Sequence, residues 1–511
     1  MSTTPDESKE SKMGSVKGEA KRFCETTSIK GVSRVMRSQS KLLCVIWTVA
    51  VLGFLFMASY QTVILVLDYL KYGTITLVSE EMVEYDSVAL NPDLIICNSR
   101  ALTSEFSNSS KQHLDKFQSH LGKLDVCDNC SLEEFYGQMA VKHELSSLKG
   151  LYQFMGKEEA AMMSHRLDEM IVKCETIYYL GGLVYNPCPD SVVITPILSM
   201  NHLNCFKVQT GDKYALGYRF VSYIDNFPAH NYFESSRDDP VGLFVYLLEQ
   251  KTMWSSLSVK TWLHPGTSTE IQYATQKRDL LPPPYGSCEE FESNSSLQLA
   301  PYKKTLGTYI SLCVETEIAH ACSCSAPTEV SFLDELERRN NLSYCGNVSL
   351  PVQKLLENMK CATETKHKVI EDCISSCRVP CSELSFSPRI SSSQWPSLSN
   401  LKSFYESYVQ GRSYEHHFNE TWQETLLGST DKFEKLIRNN FVKFDIIPSD
   451  YRYLHMKDEP KVKIVNLVSQ LGGVLNLWAG ITVVIIIELV EAVIRIFIEK
   501  NDSNNVKPFN K

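Results

Sequence analysis

Catalytic signatures are missing from this 511-residue chain. It has no HExxH helix, no GxSxG elbow and no cluster of Asp and His spaced as metal ligands, so no hydrolytic or metalloenzyme chemistry is read from it. A basic excess is missing too. With 51 Lys and Arg against 60 Asp and Glu the net charge is −9, and nothing points to a nucleic-acid partner. No internal repeat and no long low-complexity stretch is evident. Cysteine is nearly absent outside one region: of 17, only Cys24 and Cys44 lie elsewhere, and the other 15 fall between Cys97 and Cys381. Long apolar runs are scarce as well. Two are long enough to cross a bilayer, and no other segment approaches them.

The first run, LLCVIWTVAVLGFLFMASYQTVILVL, covers residues 42–67. It is too long for a signal peptide, follows forty polar residues and has no small-residue cleavage site after it. The second, at 462–498, would be about 55 Å long as one straight helix, against about 30 Å of hydrocarbon. The surplus must project, tilt or be taken up by a break. This run carries Ser469, Gln470, Asn476, Thr482, Glu488, Glu491 and Arg495. Ionisable groups at membrane depth are costly and mark an ion path by default. Gly472, Gly473, Ala479 and Gly480 allow close helix approach or an unwound turn. Gly weakens a helix interior by about 1 kcal/mol relative to Ala, so regular hydrogen bonding is expected to fail at Gly480. The run reads as a pore-lining segment. Its plainer alternative is an anchor helix with a Glu491–Arg495 pair one turn apart. Residues 1–41 carry nine Lys and Arg against five Asp and Glu, which places both termini in the cytoplasm and roughly residues 70–460 outside.

The cysteine distribution agrees with an oxidising exterior. Six Asn-x-Ser/Thr sites share that region, at Asn108, Asn129, Asn294, Asn341, Asn347 and Asn419. Cys127-x-x-Cys130 and Cys322-x-Cys324 could be read as zinc ligands, but thiols at this density outside a cell are usually oxidised. Strands are expected over 73–97 and 203–275, and helices over 110–175, 300–382 and 396–442. PPPYG at 282–286 is a rigid turn, and a strand-like link at 443–465 enters the second run. The fold class is an α+β membrane protein: two transmembrane helices flanking a large disulfide-rich α+β ectodomain of several subdomains.

Several motifs, taken in order, resemble the degenerin/epithelial sodium channel family. LNPDLIICN at 90–98 is similar to its FPAVTICN, LLPPPYGSC at 280–288 to its LPPPWGTC, and QLGGVLNLWAGIT at 470–482 to GGxxGLWxGxS. CVETEIAHACSC at 313–324 has the family's cysteine spacing, and Glu488 and Glu491 follow the last motif at the family distance. The resemblance covers nearly the whole chain. It implies a trimer whose selectivity belt is Gly480-Ile481-Thr482, with an outer gate at Ser469, Gln470 and Gly473. Glu488 and Glu491 would be the pore carboxylates, partly neutralised by Arg495. A cytosolic gating motif is implied at Lys30, Gly31 and Arg34, and coupling aromatics at Tyr72 and Tyr285. The implied disulfides are Cys97–Cys205, Cys174–Cys188, Cys288–Cys381, Cys322–Cys361 and Cys324–Cys345. Cys313 would pair with Cys377 or Cys373, with Cys127–Cys130 as a local pair.

There are departures. Lys30 stands where the family has His, Asn476 replaces a Gly, and Tyr309 and Ser375 occupy two cysteine positions. The resemblance implies a sodium channel of the plasma membrane, blocked by amiloride, homo- or hetero-trimeric and without a cofactor or metal. Acid-sensing members cluster carboxylates between subdomains. Here acidic residues are scattered in sequence, and Asp334, Glu335 and Glu337 read as a solvated helix face. IRNNFVKFDIIPSDYRYLHMKDEP and LPPPYGSC are closer to the peptide-gated (FMRFamide-gated) invertebrate branch, so an extracellular neuropeptide is the expected agonist. A proton-gated or constitutively open channel of the same family is the alternative, and a two-span ectoenzyme or receptor the distant one.

Overall fold

The computed structural model describes residues 18, 21–82, 91–126, 130–210, 215–227, 240–250, 252, 254, 258–290, 305–327 and 342–505. Cys127, Asn129, Asn294, Asp334, Glu335, Glu337 and Asn341 lie outside the described residues.

In chain order the elements are α1 (Val32–Arg37), α2 (Lys41–Leu70), β1 (Thr74–Met82), β2 (Asp93–Asn98), α3 (Asn108–Gly122), α4 (Leu132–Leu145) and α5 (Leu148–Met155). Next come β3 (Ile171–Tyr179), β4 (Leu183–Pro187), β5 (Val192–Ser199), β6 (Leu203–Thr210), β7 (Gly217–Tyr223), β8 (Leu243–Leu248), β9 (Lys260–Leu263) and β10 (Thr267–Asp279). Then follow α6 (Leu306–Cys322), α7 (Val352–Ser376), β11 (Ser382–Gln394), α8 (Leu401–Tyr408), α9 (Asn419–Leu426) and α10 (Asp431–Asn440). The chain closes with β12 (Phe441–Pro448), β13 (Arg452–Pro460), α11 (Ile464–Ala479) and α12 (Val483–Asn505). It divides into two units, Leu77–Lys457 and the paired segments Met1–Thr76 and Asp458–Lys511.

The larger unit is built on two sheets. Eight strands run in the order β1-β13-β10-β12-β7-β3-β4, with β11 on β10, and five run β5-β6-β2-β8-β9. β10 is the long central strand. Its sequence TSTEIQYATQKRD buries alternate residues, as a period of two demands. Leu94, Phe206 and Val245 of the smaller sheet share one core with Phe220, Ile271 and Phe444 of the larger. The apolar run DLIICN forms β2, buried along its whole length between β6 and β8. Within that sheet Lys207 pairs with Asp93 at 2.9 Å, both side chains nearly inaccessible.

A second core joins the helices. Phe117, Leu121, Val314, Ile318, Leu355 and Met359 pack together, drawn from α3, α6 and α7. Ser131 and Glu134 cap α4 reciprocally, and Thr305 and Thr308 do the same for α6. Disulfides join Cys97 to Cys205, Cys174 to Cys188, Cys288 to Cys381, Cys322 to Cys361 and Cys324 to Cys345. Those bridges occupy Cys322 and Cys324, so the pair is not a zinc ligand set. Cys313 bonds to Cys373 and not to Cys377, the other choice left open by the sequence. The reason is helical geometry: Cys373 is buried on the face α7 turns to α6, whereas Cys377 follows the helix end, with its thiol toward the Arg378 carbonyl. Cys130 is also disulfide-bonded.

In the smaller unit, α2 is 30 residues long and apolar enough to cross a membrane. The second apolar run is two helices, α11 of 16 residues and α12 of 23.

Candidate functional site

The interruption between α11 and α12 falls on Gly480, Ile481 and Thr482. Gly480 ends α11 in the left-handed conformation, at φ 67°. Its amide donates to the Asn476 carbonyl at 3.1 Å, the bond of a left-handed helix cap, and the Ile481 amide reaches Leu475 O at 3.1 Å. Thr482 immediately precedes α12, a position where hydroxyl residues are favoured. A side chain at 480 would be strained at that φ and would also collide. A Cβ there would lie 2.8 Å from Lys30 Cγ and 3.2 Å from the Lys30 nitrogen and the Ser28 carbonyl.

The N-terminal segment approaches from the other side of this break. The Lys30 amide donates to Ala479 O at 2.9 Å, and its Nζ donates to Asn476 O and Leu477 O at 3.1 and 3.2 Å. One residue thus satisfies three carbonyls at the end of α11. An ammonium there opposes the negative end of the helix dipole, an interaction of about 0.3–1 kcal/mol for an exposed group. Gly31, at φ 86°, makes the turn into α1. A Cβ on it would strike Val51 Cγ2 at 2.7 Å, so glycine is required on both counts. Its carbonyl accepts from the Arg34 and Val35 amides, and the Arg34 guanidinium lies 5.4 Å from the Trp47 ring centre. Trp478 ties α11 to α2 by donating from Nε1 to Gln61 Oε1 at 2.8 Å.

The two carboxylates each meet a partner within the smaller unit. Glu488 is half-buried and accepts from Thr27 Oγ1 and the Ser28 amide, both at 3.2 Å. Thr27 and Ser28 carry no sequence signal for this. They are ordinary polar residues, and Thr27 is 461 positions from its partner. Glu491 is ion-paired with Arg495 on the same helix, the pair foreseen in the anchor alternative. Ser469, Gln470 and Gly473 are exposed on α11, and Ser469 Oγ donates back to Val465 O at 2.9 Å. Tyr72 has a positive φ of 48° and its ring lies 5.9 Å from Tyr69; Tyr285 closes the proline turn by donating to Pro282 O at 3.2 Å. These two tyrosines belong to different units. Asn108 and Asn419 are exposed, while Asn347 is half-buried and its Oδ1 accepts from Ser349.

In the larger unit, folding gathers carboxylates that looked scattered along the chain. Glu249, Asp279, Glu289, Glu290 and Glu383 line one cavity of about 700 Å3. Burial, with Glu249 nearby, pushes the Glu383 carboxyl above its ordinary value. His455 bridges Glu81 and the cavity-lining Asp279, with 2.7 Å contacts from its two ring nitrogens.

The chain was compared with known proteins. The amiloride-sensitive sodium channel family matches residues 23–492. The FMRFamide-activated amiloride-sensitive sodium channel of Cornu aspersum is 24% identical over 91% of this chain and 81% of its own length. The human bile acid-sensitive ion channel is 24% identical over 92% of this chain and 84% of its own. The human epithelial sodium channel alpha subunit is 25% identical over 45% of this chain, which spans 31% of that subunit. The family match runs from the segment under the helix break through the break itself and on to Ala492, and on that extent the chain belongs to the amiloride-sensitive sodium channel family.

Proposed function

We propose that the chain is a subunit of a ligand-gated, amiloride-sensitive, sodium-selective channel of the plasma membrane. In this reading residues 42–67 and 462–498 are the two spans. Residues 1–41 and 499–511 lie in the cytoplasm, and 68–461 lie outside. Three subunits, alike or mixed, surround one pore. Gly480, Ile481 and Thr482 of each form its constriction, Ser469, Gln470 and Gly473 its outer gate, and Glu488 and Glu491 favour cations at its inner end. Lys30, Gly31 and Arg34 act as the gating segment beneath, and Tyr72 and Tyr285 couple agonist binding to opening.

The observation that carries this reading is the break at Gly480 inside the second apolar run. Non-helical backbone at membrane depth is tolerated only where it lines a cavity or is buried in protein. Carbonyls freed there are suited to replace part of a cation's hydration shell.

For the stimulus, a short amidated peptide is supported by the FMRFamide-activated relative. Protons are the second reading, supported by the five carboxylates around one cavity, where Glu383 already resists ionisation. Voltage clamp of cells expressing this chain alone separates them. Peptide-evoked, amiloride-blocked current at constant pH supports the first, and acid-evoked current without peptide supports the second. If neither evokes current although the chain reaches the surface, the homomeric ligand-gated reading fails.

A further inference from the structure

We propose that Glu105, His416 and His417 form a binding site for a divalent transition-metal ion of the zinc type. Glu105 lies just ahead of α3, and the histidines lie in the single 3-10 turn between α8 and α9. His416 Nε2 is 3.0 Å and His417 Nε2 3.9 Å from the same Glu105 oxygen. The three ligand atoms all fall within 4.8 Å of one another. Tetrahedral zinc with bonds of about 2.0–2.1 Å holds its ligands roughly 3.4 Å apart, between the two observed separations.

The ring contacts fix both histidines beside Glu105. His416 Nδ1 is 2.9 Å from the Ser413 carbonyl, which can only accept, so Nδ1 carries the hydrogen. His416 Nε2, the other ring nitrogen, then faces the Glu105 oxygen at 3.0 Å, so the two ligand atoms converge on one point. An imidazole fixed through Nδ1 to a carbonyl, with Nε2 facing outward, is the usual arrangement of a metal-bound histidine. His417 stacks on Phe227, ring centres 4.2 Å apart, which fixes its plane.

The surroundings brace the site without competing for the ion. Asp225 is taken up by Ser104, whose amide and hydroxyl donate to it at 2.6 and 2.7 Å; this also fixes the backbone beside Glu105. On the other arm Tyr414 stacks on Tyr223 at 3.9 Å. All three ligands line a cavity of about 250 Å3, open enough for water to complete the coordination. The sequence showed no sign of this: Glu105 and His416 are 311 residues apart.

The test uses the full chain in detergent micelles, stripped with EDTA and titrated at about pH 7.5 with ZnCl2 against a chromophoric chelator. One zinc ion per chain is expected. His416→Ala and His417→Ala should each weaken binding by at least 10–100-fold, the effect known for removing even a supporting partner. His113→Ala, whose partner is Glu159 elsewhere, should not change it. Undiminished affinity in the double histidine variant overturns the proposal. Cobalt(II) added to the unaltered chain avoids any folding defect in the variants. Ligand-field absorption displaced by zinc supports the site, and its absence overturns it.

Discussion

Gly480 concentrates three constraints: a left-handed φ, a neighbour 2.8 Å from its missing Cβ, and the end of α11. Gly480→Ala is therefore expected to cost about 1–3 kcal/mol locally and to disturb opening more than surface abundance, read by clamp current against surface biotinylation. Lys30 offers a sharper test. An ammonium has three donors and no acceptor, whereas an imidazole changes charge near pH 6.5. Lys30→His should make current depend on the pH of the solution bathing the N-terminal segment; a flat response in inside-out patches would refute the capping role. His455 gives a stability prediction. Glu81 and Asp279 hold its pKa above the ordinary 6.5, so its contribution is complete below that pH and fades as pH rises through the raised value. Glu81 runs the other way. Tyr453, then His455, hold it at about 2, so its contribution is complete above 4.5 and fades on acidification. His455→Gln should flatten the fall in melting temperature between about pH 6 and about pH 8; an unchanged slope would remove His455 as the cause. At this scale the sequence pointed to Gly480, because glycine inside an apolar helix is locally unfavourable. Thr27, Ser28 and the Glu105–histidine group left no trace, because their meaning lies entirely in distant partners.

Among elements, the α6–α7 pair shows how periodicity decides a choice the sequence left open. Cys373 and Cys377 are one turn apart, but the helix ends between them, and only Cys373 remains on the packed face. Peptide mapping without reduction should recover Cys313 linked to Cys373, and Cys377→Ser should leave that link intact. Cys313→Ser should cost about 2–4 kcal/mol. Within the smaller sheet, Lys207→Ala removes the cation paired with Asp93 in a nearly dry site and should cost about 3–5 kcal/mol, measured by thermal unfolding. Strand alternation made β10 and the run at β2 readable from local pattern. The carboxylate cavity was not readable, since Glu249, Asp279, Glu289 and Glu383 come from four separate segments that only the tertiary fold brings together.

For the whole molecule, the match over residues 23–492 fixes the family, and the proposal adds a pore in which the C-terminal run conducts and does not merely anchor. An anchor would tolerate a bulky apolar residue at its midpoint, as lipid does; a constriction lined by backbone would not. The deciding measurement is agonist-evoked, amiloride-sensitive current and its reversal potential in sodium and potassium for wild type and Gly480→Leu, each normalised to surface protein. The variant is expected to reach the surface but to lose its current or its preference for sodium. Wild-type current with unchanged sodium selectivity in Gly480→Leu would contradict this and place the pore elsewhere.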